Sequence, residues 1–409
     1  MRRQTPSTDG KQKQRSVTGG MVDYLIVGAG FSGATIARVL AEKGRRVKIW
    51  EQRPHIGGNM YERTDENGIR NHVYGPHIFH TNSERVFAFL RRFSDFFPYE
   101  HRVLGRIDGK LVPIPFNFTS LETLFPAAQA VRLEERLRAA YPEREKISIL
   151  DLISSGDGEI RSFGDYVFDR VFVHYTAKQW QQPVTEVDAS VINRVPVVLG
   201  YDDRYFSDRI QAMPADGYTA LFERMLDHPN IEVTLSCDAL SHLTLRGGRV
   251  FLDGEEFSAP VVYTGAPDAL LGFCFGRLPY RSLAFVFEQL PIDSFQPAAV
   301  VNYPNEEDFT RITESKKLTG QVLPGRTTIL REYPAAYSPG AARGGIPYYP
   351  VPNAENQALY QRYREVLRAY PGLTLCGRLA EYRYCNMDAA VERALDTAEK
   401  LAESASAER

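Results

Sequence analysis

Cysteine is scarce in this chain: only Cys237, Cys274, Cys376 and Cys385 occur among 409 residues. They form neither a CxxC pair nor a zinc spacing, which argues for reduced thiols in a cytoplasmic protein and against a disulfide scaffold or a metal centre. Long apolar runs are missing as well. No stretch approaches the roughly 18 to 20 consecutive apolar residues needed to span a bilayer, so no membrane insertion is expected. Excess charge of one sign is absent, since 49 Lys and Arg balance 51 Asp and Glu for a formal net charge of -2. That balance disfavours a dedicated nucleic-acid binder and leaves charge recognition to local clusters. Residues 1–20 are polar and basic, lack an apolar run for a signal segment, and are expected to be a disordered extension.

The length implies more than one substructure. From Val22 to Glu51 a short apolar strand, a glycine turn, an amphipathic stretch and a second strand at Arg46–Trp50 read as a βαβ unit. Apolar residues between about Leu121 and Tyr141 have helical spacing, and similar periodicity continues toward Trp180. Arg281–Glu288, Ala298–Tyr303 and Gly325–Tyr333 are rich in aromatic and β-branched residues and read as strands of a separate sheet. Ile346–Pro350 reads as an ordered loop. Gln357–Tyr370 reads as a helix, Leu373–Gly377 as a strand, and Met387–Glu403 as a closing helix.

The expected fold is therefore α/β. A Rossmann-like FAD-binding domain is drawn from residues 21–100, 208–272 and 352–409, with a helical insertion domain at 115–185. An antiparallel sheet domain for the substrate is drawn from 101–114, 186–207 and 273–351.

The turn Gly28-Ala29-Gly30-Phe31-Ser32-Gly33 matches GxGxxG between a strand and a helix. Its glycines permit the tight turn, backbone approach to a pyrophosphate, and close helix–strand contact, while the helix N-terminus faces the phosphates. Glu51, beside Gln52 at the end of the second strand, is placed to accept a ribose hydroxyl. A second glycine pair follows in Gly57-Gly58-Asn59. That extension favours FAD over NAD.

Five further segments carry a family resemblance. Tyr74-Gly75-Pro76-His77-Ile78-Phe79-His80-Thr81-Asn82, Tyr175–Trp180, Tyr201–Phe206, Thr310–Glu314 and Gly377–Tyr384 resemble, in order, motifs of the bacterial UDP-galactopyranose mutases. The resemblance runs from Met21 to about Leu401. It implies interconversion of UDP-galactopyranose and UDP-galactofuranose without net redox change. Reduced FAD would attack the anomeric carbon through N5 and expel UDP, after which the sugar opens and recloses.

The resemblance also implies roles for individual residues. Arg194 and Arg311 would hold the diphosphate, as planar guanidinium forks suit phosphate. Phe172, Tyr175, Trp180, Tyr205, Asn302, Tyr349, Tyr384 and Asn386 would contact the nucleotide sugar. His80 would sit beside the flavin as a third catalytic residue, with His77 in the same cofactor loop. Arg378, Met387 and Asp388 would meet the flavin near the start of the last helix. Asn386 stands where some members carry aspartate, and Gln181 and Val198 depart from the family pattern too. A homodimer or higher homo-oligomer and a role in cell-surface glycans follow from the same resemblance. A flavin oxidoreductase of the amine-oxidase type and a noncatalytic relative of GDP-dissociation inhibitors share the fingerprint and remain alternatives.

Overall fold

The computed structural model describes residues 22–173, 195–341, 343–351 and 353–407. Its first layer is a five-stranded parallel sheet. The strand order is Ile231–Thr234, Val47–Trp50, Tyr24–Val27, Val261–Tyr263 and Leu373–Leu375. Helix Phe31–Glu42 leaves the first strand through the glycine turn and buries Ile36, Ala37 and Leu40 completely. The closing helix, Met387–Ala407, lies against it through Val391, Ala394, Leu395 and Ala398. Small residues on both helices let the backbones approach. The opposite sheet face is covered by a meander of Leu243–Arg246, Arg249–Leu252 and Glu255–Glu256, whose Leu243 and Val250 meet Leu25 and Val261.

The second layer is a seven-stranded sheet. It runs Tyr349–Pro350, Tyr280–Leu290, Thr327–Ala336, Arg311–Glu314, Val300–Asn302, Val103–Ile107 and Lys110–Ile114. Neighbours are antiparallel except Val300–Asn302 beside Val103–Ile107, which run parallel. The expected loop at Ile346–Pro350 thus ends in a short strand, because its backbone completes the sheet edge beside Tyr280 and Arg281.

The expected helix from Leu121 to Tyr141 is two helices, Phe118–Leu124 and Ala127–Ala140. Pro126 disfavours helical geometry at Phe125, which is extended at φ -101° and ψ 156°. Further helices at Ile149–Ile153 and Gly158–Val167 lead into a π-helical turn, Phe168–Val173. Leu133, Leu137, Leu152, Ile160 and Phe163 share one apolar cluster with Val103, Ile107, Ile114 and Val300 of the large sheet. The helices and that end of the sheet are therefore welded by a common core. Among the described residues no helix is long and apolar enough to cross a membrane.

Candidate active site

The carboxyl ends of four parallel strands converge on one crevice, where such folds bind ligands. Gly28 follows the first strand with φ 104°, a conformation that favours glycine, and a Cβ there would lie 2.1 Å from Thr264 Oγ1. Thr264 follows another strand and donates its hydroxyl to the Val27 carbonyl at 2.7 Å. A Cβ at Gly33 would stand 1.9 Å from the Gly28 carbonyl oxygen, so helix and turn touch only because both positions lack side chains. Gly58 brings its segment against Gly30: a Cβ on Gly58 would lie 3.1 Å from Gly30 Cα. The second glycine pair therefore packs on the fingerprint itself.

Glu51 is buried, and its two carboxylate oxygens accept the amides of Ala29 at 2.8 Å and Arg53 at 2.9 Å. These bonds lock the turn to the second strand and leave each oxygen a further lone pair. Gln52 is exposed, and Ser32 is buried beneath Gly377. The Phe31 ring is committed to the core against Tyr218 and Phe222, so what it offers a cofactor is its amide at the helix start. Asn59 accepts both terminal nitrogens of Arg53 at 3.0 Å, and that guanidinium lies 4.4 Å from the centre of the Tyr74 ring. Asp388 accepts the Ala389 amide at 2.8 Å.

A cleft of about 580 Å³ opens between the two layers. One wall comes from the large sheet, where Asn302, Arg311 and Glu332 stand side by side in register on three adjacent strands. Residues paired in this way project from the same face. Glu332 is 1% exposed and sits 3.0 Å from Arg311 Nε through one oxygen, while its Oε1 and the Asn302 Oδ1 are buried without hydrogen-bond partners. Burial pushes the Glu332 carboxyl up, and Arg311 pulls it back. The pair gives the cleft a fixed cation backed by a carboxylate.

The facing wall belongs to the dinucleotide layer: Tyr74–Ile78, His80, Arg378 and Met387. His77 Nδ1 is buried and unpartnered. Burial, with His72, Arg378 and Arg311 nearby, lowers the His77 imidazole to about 3, so the ring is neutral. The backbone amide of His77 donates to His72 Nδ1 at 3.0 Å. That bond puts the His72 proton on Nε2, 3.1 Å from Glu62. His80 joins its Nδ1 to Asp208 at 2.8 Å and stacks on Phe206 with centroids 3.6 Å apart.

At one end Tyr349 and Tyr384 stack at 5.5 Å with Arg378 against both rings. Burial and the Tyr384 hydroxyl push the Tyr349 phenol up to about 12, keeping it a donor at neutral pH. Arg378 donates to the carbonyls of Cys385 at 2.7 Å and Tyr348 at 3.4 Å. Exposed Asn386 also lines the cleft. At the other end are Phe172 and Lys146.

The structure thus brings Phe172, Tyr205, Asn302, Arg311, Tyr349, Tyr384 and Asn386 to one cleft with His77, His80, Arg378 and Met387. Tyr175, Trp180 and Arg194 lie outside the described residues. His101, Asp208, Glu332 and Lys146 line the same cleft and were not expected from the sequence. Glu332 and Asp208 become visible only through strand register, but His101, a lone histidine entering a strand, offered a signal. A larger groove of about 670 Å³ lies outside the sheet edge at Leu373–Leu375. Its rim arginines Arg368 and Arg393 pair with Glu365 and Glu381, and it gathers no orphaned buried polar atoms. The candidate site is therefore the smaller cleft.

Comparison with known proteins agrees with this geometry. A family model described as UDP-galactopyranose mutase matches residues 170–384, and one described as an NAD(P)-binding Rossmann-like domain matches 26–93. A UDP-galactopyranose mutase of Mycoplasma pneumoniae is 35% identical over 383 residues, covering 93% of this chain and 96% of that protein. The chain belongs to the UDP-galactopyranose mutase family. Family membership makes it an enzyme of the isomerase class, and the four quoted mutase motifs that fall among the described residues all send residues to the cleft. A dTDP-fucopyranose mutase of Escherichia coli is also 35% identical, over 93% of this chain and 98% of its own length. The crystal structure of a reduced UDP-galactopyranose mutase superposes with a TM-score of 0.71 over 93% of this chain and 95% of that one, at 16% identity, a likeness of fold.

Proposed function

We propose that this protein interconverts UDP-galactopyranose and UDP-galactofuranose with reduced FAD, in the cytoplasm and as a homodimer or higher homo-oligomer, supplying galactofuranose for cell-surface glycans. The observation that carries the reading is the in-register row of Asn302, Arg311 and Glu332 facing the cofactor loop across one cleft. A fixed cation at that position suits a departing diphosphate, on which negative charge develops.

The residues present fit a flavin dinucleotide. Gly28, Gly30, Gly33 and Gly58 form a cradle that side chains would fill, Glu51 keeps lone pairs for ribose, and the orphaned His77 Nδ1 awaits a partner beside Arg378 and Met387. When bound and reduced, the flavin supplies N5 as a nucleophile toward the anomeric carbon. Arg311, held by Glu332, stabilises the negative charge that develops on the diphosphate, together with Arg194. Tyr349 and Tyr384 donate hydroxyls to phosphate oxygens from a stack steadied by Arg378. Tyr205, edge-on to His101, and Phe172 offer flat apolar walls to sugar and base, where they also exclude water.

The test is conversion of UDP-galactofuranose by the FAD-loaded protein with and without dithionite, products separated by anion exchange, beside a parallel reaction with dTDP-fucofuranose. Reductant-dependent formation of UDP-galactopyranose supports the proposal. Conversion of the dTDP sugar alone moves the substrate to the class named by the Escherichia coli relative, and no conversion of either overturns the mutase reading.

A further inference from the structure

His80 enters the cleft on strand Phe79–Thr81, which pairs antiparallel with Ile210–Pro214 so that His80 stands opposite Gln211. This pairing brings Asp208, two residues ahead of the partner strand, beside the imidazole. Asp208 Oδ2 lies 2.8 Å from His80 Nδ1, and its Oδ1 accepts Asn82 Nδ2 at 3.0 Å. Asn82 cannot turn its amide round without loss, because its Oδ1 accepts the Arg209 amide at 2.9 Å. The Asp208 side chain is 23% exposed and that of His80 10%, while Phe206 covers one face of the ring at an interplanar angle of 15°. The ring is thus held in plane by stacking and in rotation by one carboxylate.

We propose that Asp208 is a positioning residue that fixes the neutral tautomer of His80. An ionised carboxylate only accepts, so the proton of the neutral ring must reside on Nδ1. Nε2 then carries a lone pair. Among the described residues Nε2 has no hydrogen bond, and it is not among the enclosed polar atoms, so it is open to the cleft that the ring lines. What Asp208 builds is an acceptor for an N–H or O–H group in the cleft, a chemistry opposite to the donors offered by Arg311, Tyr349 and Arg378. Phosphate oxygens are excluded as partners of the neutral ring, and a donor on the sugar or on the reduced cofactor is selected. The structural part stands alone, while the catalytic consequence rests on the mutase reading above.

The tautomer can be read directly. In full-length protein labelled with ¹⁵N-histidine, with and without FAD, long-range ¹H–¹⁵N correlation at neutral pH distinguishes protonated from unprotonated ring nitrogens. His80→Gln assigns the signals. The expected result is a protonated Nδ1 and a bare Nε2 in the wild type, averaged nitrogens in Asp208→Ala, and the proton moved to Nε2 in Asp208→Asn, where the locked Asn82 amide takes the carboxamide oxygen and leaves its NH2 facing Nδ1. Thermal melts establish that each variant is folded. In the mutase assay Asp208→Ala should lower kcat by about tenfold or more with KM little changed, and Asp208→Asn, which reverses the tautomer, should lower it at least as far. A wild-type proton on Nε2, a tautomer unaltered in Asp208→Ala, or an unchanged kcat overturns the proposal. A wild type with the expected tautomer but no mutase activity overturns the substrate reading instead and leaves the Asp208 assignment standing.

Discussion

Arg311 and His101 show how single residues take their character from what surrounds them. The Arg311 head is set against a carboxylate with almost no exposure, so Glu332 fixes where the cation points as much as it offsets its charge. Arg311→Ala should reduce kcat/KM by about 100-fold or more, several kcal/mol of lost transition-state stabilisation. Arg311→Lys should recover only part, since a point charge cannot bridge carboxylate and phosphate as a fork does. Steady-state kinetics on flavin-loaded variants decides, and near-normal turnover in Arg311→Ala would remove the assigned role. His101 is 4% exposed, and burial, with Arg311 and His80 nearby, lowers its imidazole to about 3. Below the ordinary histidine value of about 6.5 the unfolded chain takes up a proton that the folded one refuses. The stability tied to this neutral ring is therefore complete above that pH and declines as the pH falls toward 3, by at most about 1.4 kcal/mol per unit. Denaturant titrations between pH 7 and pH 5 should show this loss in the wild type and a shallower one in His101→Gln. Equal slopes would mean that the ring is not held neutral.

At the scale of elements the glycine cradle makes the sharpest forecast. Gly33→Ala directs a methyl group at the Gly28 carbonyl, a backbone atom with nowhere to move, and should destabilise the protein by about 1 to 3 kcal/mol. Gly58→Ala asks for a side chain at φ 54° against Gly30 Cα. It should release flavin more readily than it lowers the melting point, as measured by absorbance after gel filtration, and full flavin retention would dissociate the second glycine pair from the cofactor. Those glycines were legible in the sequence because a turn leaves a local signature. So were the βαβ unit, the strand Tyr280–Leu290 and the last helix, each written in its own periodicity. The cross-strand row was not: Asn302, Arg311 and Glu332 become neighbours through the register of three strands separated by loops, and no local pattern encodes register between distant strands. The same holds for Asp208 and His80, 128 residues apart. The split at Pro126 could have been read, since a proline inside a helical pattern forbids the preceding residue from continuing it.

Seen whole, the molecule is interlaced. The chain builds the first two strands of the parallel sheet, crosses to Val103–Ile114 of the large sheet and the helices, and returns at Ile210 for the middle of the dinucleotide layer. It leaves again at Tyr280 and comes back for Leu373–Leu375 and the closing helix. Neither layer is a continuous segment, so neither should melt alone. Flavin release, near-ultraviolet and far-ultraviolet circular dichroism should follow one denaturation curve in the loaded protein, and separated transitions would show that the layers are independent.

One contact extends this to the life of the chain before it is complete. The first helix, Phe31–Glu42, is finished by the last, Met387–Ala407, and the Tyr24 hydroxyl donates to the Leu401 carbonyl at 3.0 Å. On the ribosome the glycine turn emerges well before the helix that packs on it, and the part of Phe31–Glu42 that meets Val391, Ala394, Leu395 and Ala398 stays uncovered until Met387–Ala407 has followed. Until then the nascent chain carries an exposed greasy stripe, a natural handle for chaperones, and a chain cut short before Met387 should fail to hold its first helix and the glycine turn in place.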